Sequence, residues 1–185
     1  TRVRSSAASD VYKRQYVYNL DMSRQIKNII AITFFLICIG LINVAGQNIE
    51  IEIRGMNAFT FILIIAVLLQ VIFFIPSFLL KTEKYYDIVG SLTYIITISI
   101  AYFSVENKTM IDSIIYFYVM VWALRLGIYL FRRVRNDGKD VRFEKAKRHF
   151  FWFLQYWMGQ ALWVSLTACA AIIAILSPEE DTLPV

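Results

Sequence analysis

The sequence predicts an all-α fold, a polytopic transmembrane helical bundle of about five spans. Three observations carry that expectation. Apolar runs of roughly twenty residues follow one another along the chain, the length a helix needs to cross about 30 Å of hydrocarbon. Hydrophobic residues make up 58% of the sequence and the mean hydropathy is +0.57, the range of membrane chains and not of soluble domains. The charges are concentrated in the connections, where they alternate between basic and nearly neutral. The net charge of +5 therefore needs no nucleic acid to account for it, and membrane lipid is the partner it implies.

Residues 1–15, TRVRSSAASDVYKRQ, are polar and aperiodic. They read as a non-native leader of the kind that translated sequencing adapters leave, and are set aside from functional argument; a disordered basic terminus is the other reading. The first span is expected at about 28–45, behind Arg24 and Lys27. A polar connection follows, and its Ile-Glu alternation from Ile49 to Ile53 is strand-like. The second span, about 58–80, contains Gln70 and, near its end, Pro76, which breaks one helical hydrogen bond. The loop KTEKYYD (Lys81–Asp87) leads to a third span at about 88–105. A fourth follows at about 113–131 and a fifth at about 150–176.

Between Arg132 and Arg148 the chain places eight Lys or Arg among three acids. Lys81 and Lys84, like Arg24 and Lys27, fall on the same side as this cluster, whereas the intervening connections carry only Arg54 and Lys108. That asymmetry predicts a cytoplasmic basic loop (132–149) and an external C-terminal tail. The tail, SPEEDTLPV, has no cap or basic anchor, and the chain is expected to be truncated there. Asn107-Lys-Thr109 matches a glycosylation sequon, a pattern short enough to arise by chance. Cys38 and Cys169 each lie inside an apolar run, and His149 is the only histidine. This inventory argues against a disulfide or a zinc site.

Four places carry candidate chemistry. Arg125 lies inside the fourth apolar run, about two helical turns before Arg132 and Arg133. A guanidinium at that depth either snorkels to the headgroups or faces the bundle and binds phosphate or carboxylate. Tyr129, four residues on, shares its face. Arg133 and the turn Asn136-Asp137-Gly138-Lys139 lie at the helix exit, where a nucleotide phosphate or an anionic lipid is the expected ligand. In the loop before the third span, Tyr86 and Asp87 read as an aromatic belt and helix cap, or as a proton donor and anchor at a cavity mouth. Gln70 is either a helix–helix hydrogen-bonding residue or a ligand contact. Trp152, Tyr156, Gln160, Trp163 and Thr167 recur at helical spacing and read as an interior wall, with Ala168–Leu176 facing lipid.

Three strings, KTEKYYDIVGSLTY (Lys81–Tyr94), WALRLGIYLFRRVRNDGKDVRF (Trp122–Phe143) and FFWFLQYWMGQALWVSL (Phe150–Leu166), resemble a bacterial family of uncharacterised membrane proteins. That family is classed with the steroid 5-alpha-reductase-like superfamily. The resemblance covers most of 47–176, and it implies that residues 16–185 are the N-terminal part of such a domain in a bacterial inner membrane. The wider superfamily reduces conjugated double bonds with NADPH, taking lipid-like substrates from the bilayer. By resemblance, Arg125, Tyr129, Arg133 and Lys139 bind NADPH, and Tyr86, Asp87 and Gln70 are the catalytic candidates. There are departures. Val71 stands where the reductases have a glutamate after their glutamine, and Trp122 stands for their substrate-facing tyrosine. The C-terminal half with its Arg-His-Pro-Asn-Tyr signature does not occur in this sequence. The resemblance therefore implies an oxidoreductase acting on CH–CH groups when full length, inactive as this piece alone. Two alternatives remain: a non-catalytic membrane protein with a lipid-binding basic loop, and a lipid methyltransferase-like enzyme.

Overall fold

The structure, a computed structural model, describes the backbone of residues 2–137 and 141–177 and the side chains of 22–134 and 142–177. It contains five long helices: α1 (Arg2–Val44), α2 (Ala58–Leu79), α3 (Tyr86–Ser104), α4 (Met110–Asp137) and α5 (Phe150–Leu176). Each contains a stretch long and apolar enough to cross a membrane, and the chain is an integral membrane protein. The spans lie within a few residues of the expected ones, except that the first begins at Met22. Arg24 and Lys27 are exposed, and their aliphatic stems let the helix run on past them. The segment read as a leader is helical from Arg2 and continuous with α1.

Helix α5 is the hub, packing against α1, α2 and α3, while α4 leans mainly on α3. Half of the α3 span is buried, against 6% of the α1 and α4 spans. This explains why α3 is also the least apolar span, with a mean hydropathy of 1.4 against 2.9 for α2. A helix enclosed by other helices can carry hydroxyls if they are bonded. Thr93 and Thr97 donate to the carbonyls of Val89 and Thr93, one turn earlier, at 2.7 and 2.8 Å. Ser91 donates to the carbonyl of Ala123 on α4 at 2.6 Å, and Tyr94 pairs with Thr167 on α5.

The strand-like connection becomes a minimal antiparallel hairpin of β1 (Glu52–Ile53) and β2 (Met56–Asn57), with Glu52 opposite Asn57. Its two turn residues, Arg54 and Gly55, have φ of 55° and 75°, as a two-residue type I′ loop demands. Asn57 then fixes the start of α2. Its Oδ1 accepts from the Thr60 amide at 3.1 Å, and its Nδ2 donates to the carbonyls of Gly46 and Ile49 at 3.1 and 2.8 Å. Helix α4 begins with a reciprocal cap: the Thr109 amide donates to Asp112 Oδ2 at 2.8 Å, and the Asp112 amide to Thr109 Oγ1 at 3.1 Å. Thr109, the last residue of the sequon, is thus a structural cap.

Two expectations for α5 are corrected. The fully buried stripe is Phe153, Trp157, Ala161, Val164, Ala168 and Ile172, and it continues to Ile175 and Leu176. The segment Ala168–Leu176 therefore contributes to the core rather than facing lipid. An apolar face toward lipid and one toward another helix have the same composition, so hydropathy does not separate them. The aromatic–polar face from Trp152 to Thr167 is instead half open, and Trp163 is 64% exposed. The basic connection also does more than carry charge. It folds into two short 3-10 turns, Val141–Phe143 and Ala146–Arg148. These bury Phe143 and Ala146 against Phe74, Val89, Phe153 and Trp157, sealing that end of the bundle with apolar contacts.

Candidate functional site

The candidate residues gather at the end of the bundle that carries the basic connection, but they form separate groups. The first is on α4. Residues four apart on a helix stack on one face, so Arg125 and Tyr129 share one groove with Trp122 and Leu126, a space of about 270 Å³. An adjoining groove brings Arg132 beside Arg125. Both Arg125 and Tyr129 are exposed on the outer side of α4; the expectation that Arg125 faces the bundle is not met. Among the described residues its guanidinium has no hydrogen-bond or ion-pair partner.

Arg133 points elsewhere. Eight residues after Arg125, it has rotated to the α3 side, and its Nη2 meets Asp87 Oδ2 at 2.8 Å. The exposed guanidinium and the more buried carboxylate tie the exit of α4 to the first turn of α3. Asp87 is not the cap of α3: Tyr85 holds that position, with no side-chain cap bond. As a first-turn acid, Asp87 also complements the positive end of the helix dipole. A second ion pair, Lys147 Nζ to Glu83 Oε2 at 2.7 Å, fastens the basic connection to the same loop. Lys139 lies outside the described residues.

Tyr86 is half-buried between Phe143 and Trp157, with ring centroids at 4.8 and 5.3 Å. Its hydroxyl donates to the carbonyl of Tyr156 at 3.0 Å. It also stands at the rim of a crevice between α1 and α5, which includes Phe35, Gln155, Gln160 and Trp163. Gln70 is far from both groups in environment. It is fully buried, and its Nε2 donates to Thr93 Oγ1 at 2.9 Å, linking α2 to α3. Its Oε1 has no hydrogen-bond partner.

The model of one protein family, described as Protein of unknown function (DUF1295), matches residues 73–185, more than half of the chain. The chain belongs to this family. The DUF1295 family is steroid 5-alpha-reductase-like. No curated protein and no solved structure matches the sequence.

The DUF1295 match begins near the end of α2 and takes in α3, α4 and α5. It includes Tyr86, Asp87, Arg125, Tyr129 and Arg133, and leaves out Gln70 and Phe35. Several residues around these groups carry no motif of their own. Glu83 and Lys147 look like ordinary loop charges; their pairing across 64 positions follows from the fold. Phe143 was legible only as the one aromatic inside a basic run. Gln160 was read as part of an interior wall and Gln155 was missed; an amide within an apolar run is the signal that could have found it.

Proposed function

We propose that the chain is part of an NADPH-dependent reductase that saturates a conjugated double bond in a lipid-like substrate. One observation, beside membership of a reductase-like family, supports this reading: the unpartnered guanidinium of Arg125 shares a groove with Tyr129, at a depth where topology requires no charge. A snorkelling arginine needs no such groove. Its volume, about 270 Å³, is at the lower edge of small-molecule sites and suits one phosphoryl group rather than a whole dinucleotide. Arg125 and Tyr129 would therefore hold a phosphate of the cofactor. Arg133, held by Asp87, would position the helix exit. Bound NADPH would supply the hydride; the proton for the neighbouring carbon would come from the Tyr86 hydroxyl, with Asp87, held by Arg133, as the anchor beside it.

The test is cofactor titration of the full-length protein in detergent. Lysine keeps the charge of arginine but lacks its planar fork. Arg125→Lys is expected to weaken NADPH binding by about 1.5–3 kcal/mol, the range for a hydrogen bond to a charged group. Thermal stability should not change, because no contact within the chain is lost. Equal affinity in the two proteins would remove Arg125 from the cofactor site. Absence of saturable nucleotide binding, with binding to anionic vesicles retained, would favour the lipid-binding alternative.

A further inference from the structure

Helix α1 meets the start of α5 through Arg24, Asn28, Ile32 and Phe35, a stripe at helical spacing along one face. At one end of the stripe the Arg24 guanidinium lies over the Trp152 ring, 5.2 Å from its centroid. At the other end the Phe35 ring lies against Gly159, and Ile32 and Trp152 pack against the same apolar cluster. Asn28 falls between these contacts and is 9% exposed. Among the described residues its side-chain amide has no hydrogen-bond partner, yet it is not sealed as the carbonyl oxygen of Gln160 is. His149 precedes the first turn of α5 in extended backbone, with no side-chain cap bond, so no side chain of its own closes the positive end of that helix. Its imidazole lies beside the same tryptophan, with ring centroids 6.0 Å apart. Arg148, next to it, is exposed. Among the described residues Arg24, Arg148 and His149 have no ion-pair partner.

These groups converge on one chemistry. Stacking uses the face of a guanidinium and leaves the N–H groups at its edge free. Those donors match two oxygens of a single phosphate. An open helix start offers its first amides to the same anion. Asn28 Nδ2 can donate to it from the α1 side, which removes the cost of leaving that amide buried and unbonded. Depth selects the source. The α1 span begins at Met22, so Arg24 lies at the level of the headgroups, where a phospholipid carries its phosphate. The surplus of positive charge favours a headgroup that brings no cation of its own.

We propose that the junction of α1 with the start of α5 binds the phosphate of an anionic phospholipid, held by Arg24, Asn28 and the first turn of α5. The lipid is a structural ligand and not a substrate: it fastens α1, whose span is only 6% buried, to the packed helices. The proposal does not rest on the cofactor groove, which lies on α4. It also differs from attraction to the basic connection, which needs charge alone. The experiment is native mass spectrometry of the full-length protein in detergent, titrated with phosphatidylglycerol or phosphatidylcholine, with inorganic phosphate as competitor. Phosphatidylglycerol is expected to bind about tenfold more tightly than phosphatidylcholine. Asn28→Leu alters no charge and should weaken phosphatidylglycerol binding about tenfold, the equivalent of one hydrogen bond to a charged group. Arg24→Lys keeps the charge, loses the planar fork and should weaken it similarly. If the variants do not fold, phosphatidylglycerol with a diazirine on its headgroup decides on the unaltered protein: adducts are expected between Arg24 and Ile32 or between Arg148 and Tyr156. Unchanged affinity in both variants, or adducts spread evenly over the basic residues of the chain, would overturn the proposal. Displacement of the lipid by inorganic phosphate would overturn the lipid as the source of the phosphate.

Discussion

Gln70→Leu separates the structural from the catalytic reading of Gln70, and its cost can be worked from the geometry. Leucine has nearly the same volume, so little packing is lost at this fully buried position. One hydrogen bond disappears, the 2.9 Å contact from Nε2 to Thr93 Oγ1. Thr93 keeps its own donation to the Val89 carbonyl, so the substitution orphans a lone pair and not a donor. Interhelical hydrogen bonds of this type in membrane proteins contribute about 0.6 kcal/mol on average. Against that loss, the substitution removes Oε1, a buried acceptor with no partner, whose desolvation costs about 1–3 kcal/mol. The two effects oppose each other. Gln70→Leu should therefore be neutral or stabilising, by up to about 2 kcal/mol. Gln70→Ala leaves a cavity and should cost about 2–5 kcal/mol, as large-to-small core changes do. Reversible unfolding in mixed micelles, followed by circular dichroism, measures both. A loss above about 3 kcal/mol for the leucine variant would refute the reasoning, because the amide would then be fully satisfied. Turnover per folded molecule settles the chemistry: a folded, active Gln70→Leu enzyme removes Gln70 from the catalytic set.

Three further outcomes follow from the same geometry. Asp87→Asn should lower stability by about 0.5–2 kcal/mol, combining a screened ion pair with a first-turn dipole contact. Its coupling to Arg133→Gln in a double-mutant cycle should stay below about 1 kcal/mol, because the Arg133 side chain is 37% exposed and water weakens the pair. A catalytic Asp87 would show instead as a loss of turnover far beyond that loss of folding. Asn57→Ala should cost about 3 kcal/mol, one part for the cap and two for the donors to Gly46 and Ile49; Asn57→Ser keeps the cap, and a cost equal to that of alanine would show that the cap contributes nothing. A reporter fused after Arg135 should read cytoplasmic and one after Lys108 external, and finding both on one side would sink the predicted orientation.

The five spans were legible because length and hydropathy are properties of each helix alone. Their neighbours were not, since lipid and helix present the same apolar surface. That is why Ala168–Leu176 was misassigned, although its apolar character was read correctly. The site was legible in pieces. The four-residue spacing of Arg125 and Tyr129 placed them on one face, as the structure has them. Spacing says nothing about which side of α4 that face occupies, and it is the outer side. Arg133 fell into the same sequence cluster but is turned to Asp87, because eight residues are not a whole number of helical turns. The hairpin at Arg54–Gly55 was visible only as alternation, because its turn is specified by backbone dihedrals that the string IEIEI does not express.

The polar groups within the spans divide in a way that reverses the usual reading of intramembrane polarity. A polar side chain inside a membrane helix is a functional candidate by default. Here the most enclosed ones are mostly committed to the fold. Thr93 bonds to Gln70 and Val89, Thr97 to Thr93, Ser91 to Ala123, and Tyr94 to Thr167. Each bond either closes a turn of α3 or joins it to a neighbour. Among the described residues, groups without partners are of two kinds: Gln70 Oε1, Ser77 Oγ, Trp157 Nε1, Gln160 Oε1 and Ser165 Oγ are enclosed, whereas Arg125 lies exposed on the outside of α4 and Gln155 where α1 leaves α5 partly open. An enclosed group without a partner costs stability, because nothing from outside can reach it. A group at the edge can be satisfied by what arrives from the bilayer or the headgroup layer. The bonded hydroxyls of α3 are therefore the scaffold that joins the helices, and the exposed guanidinium of Arg125 is a group left free to meet a headgroup or a phosphate.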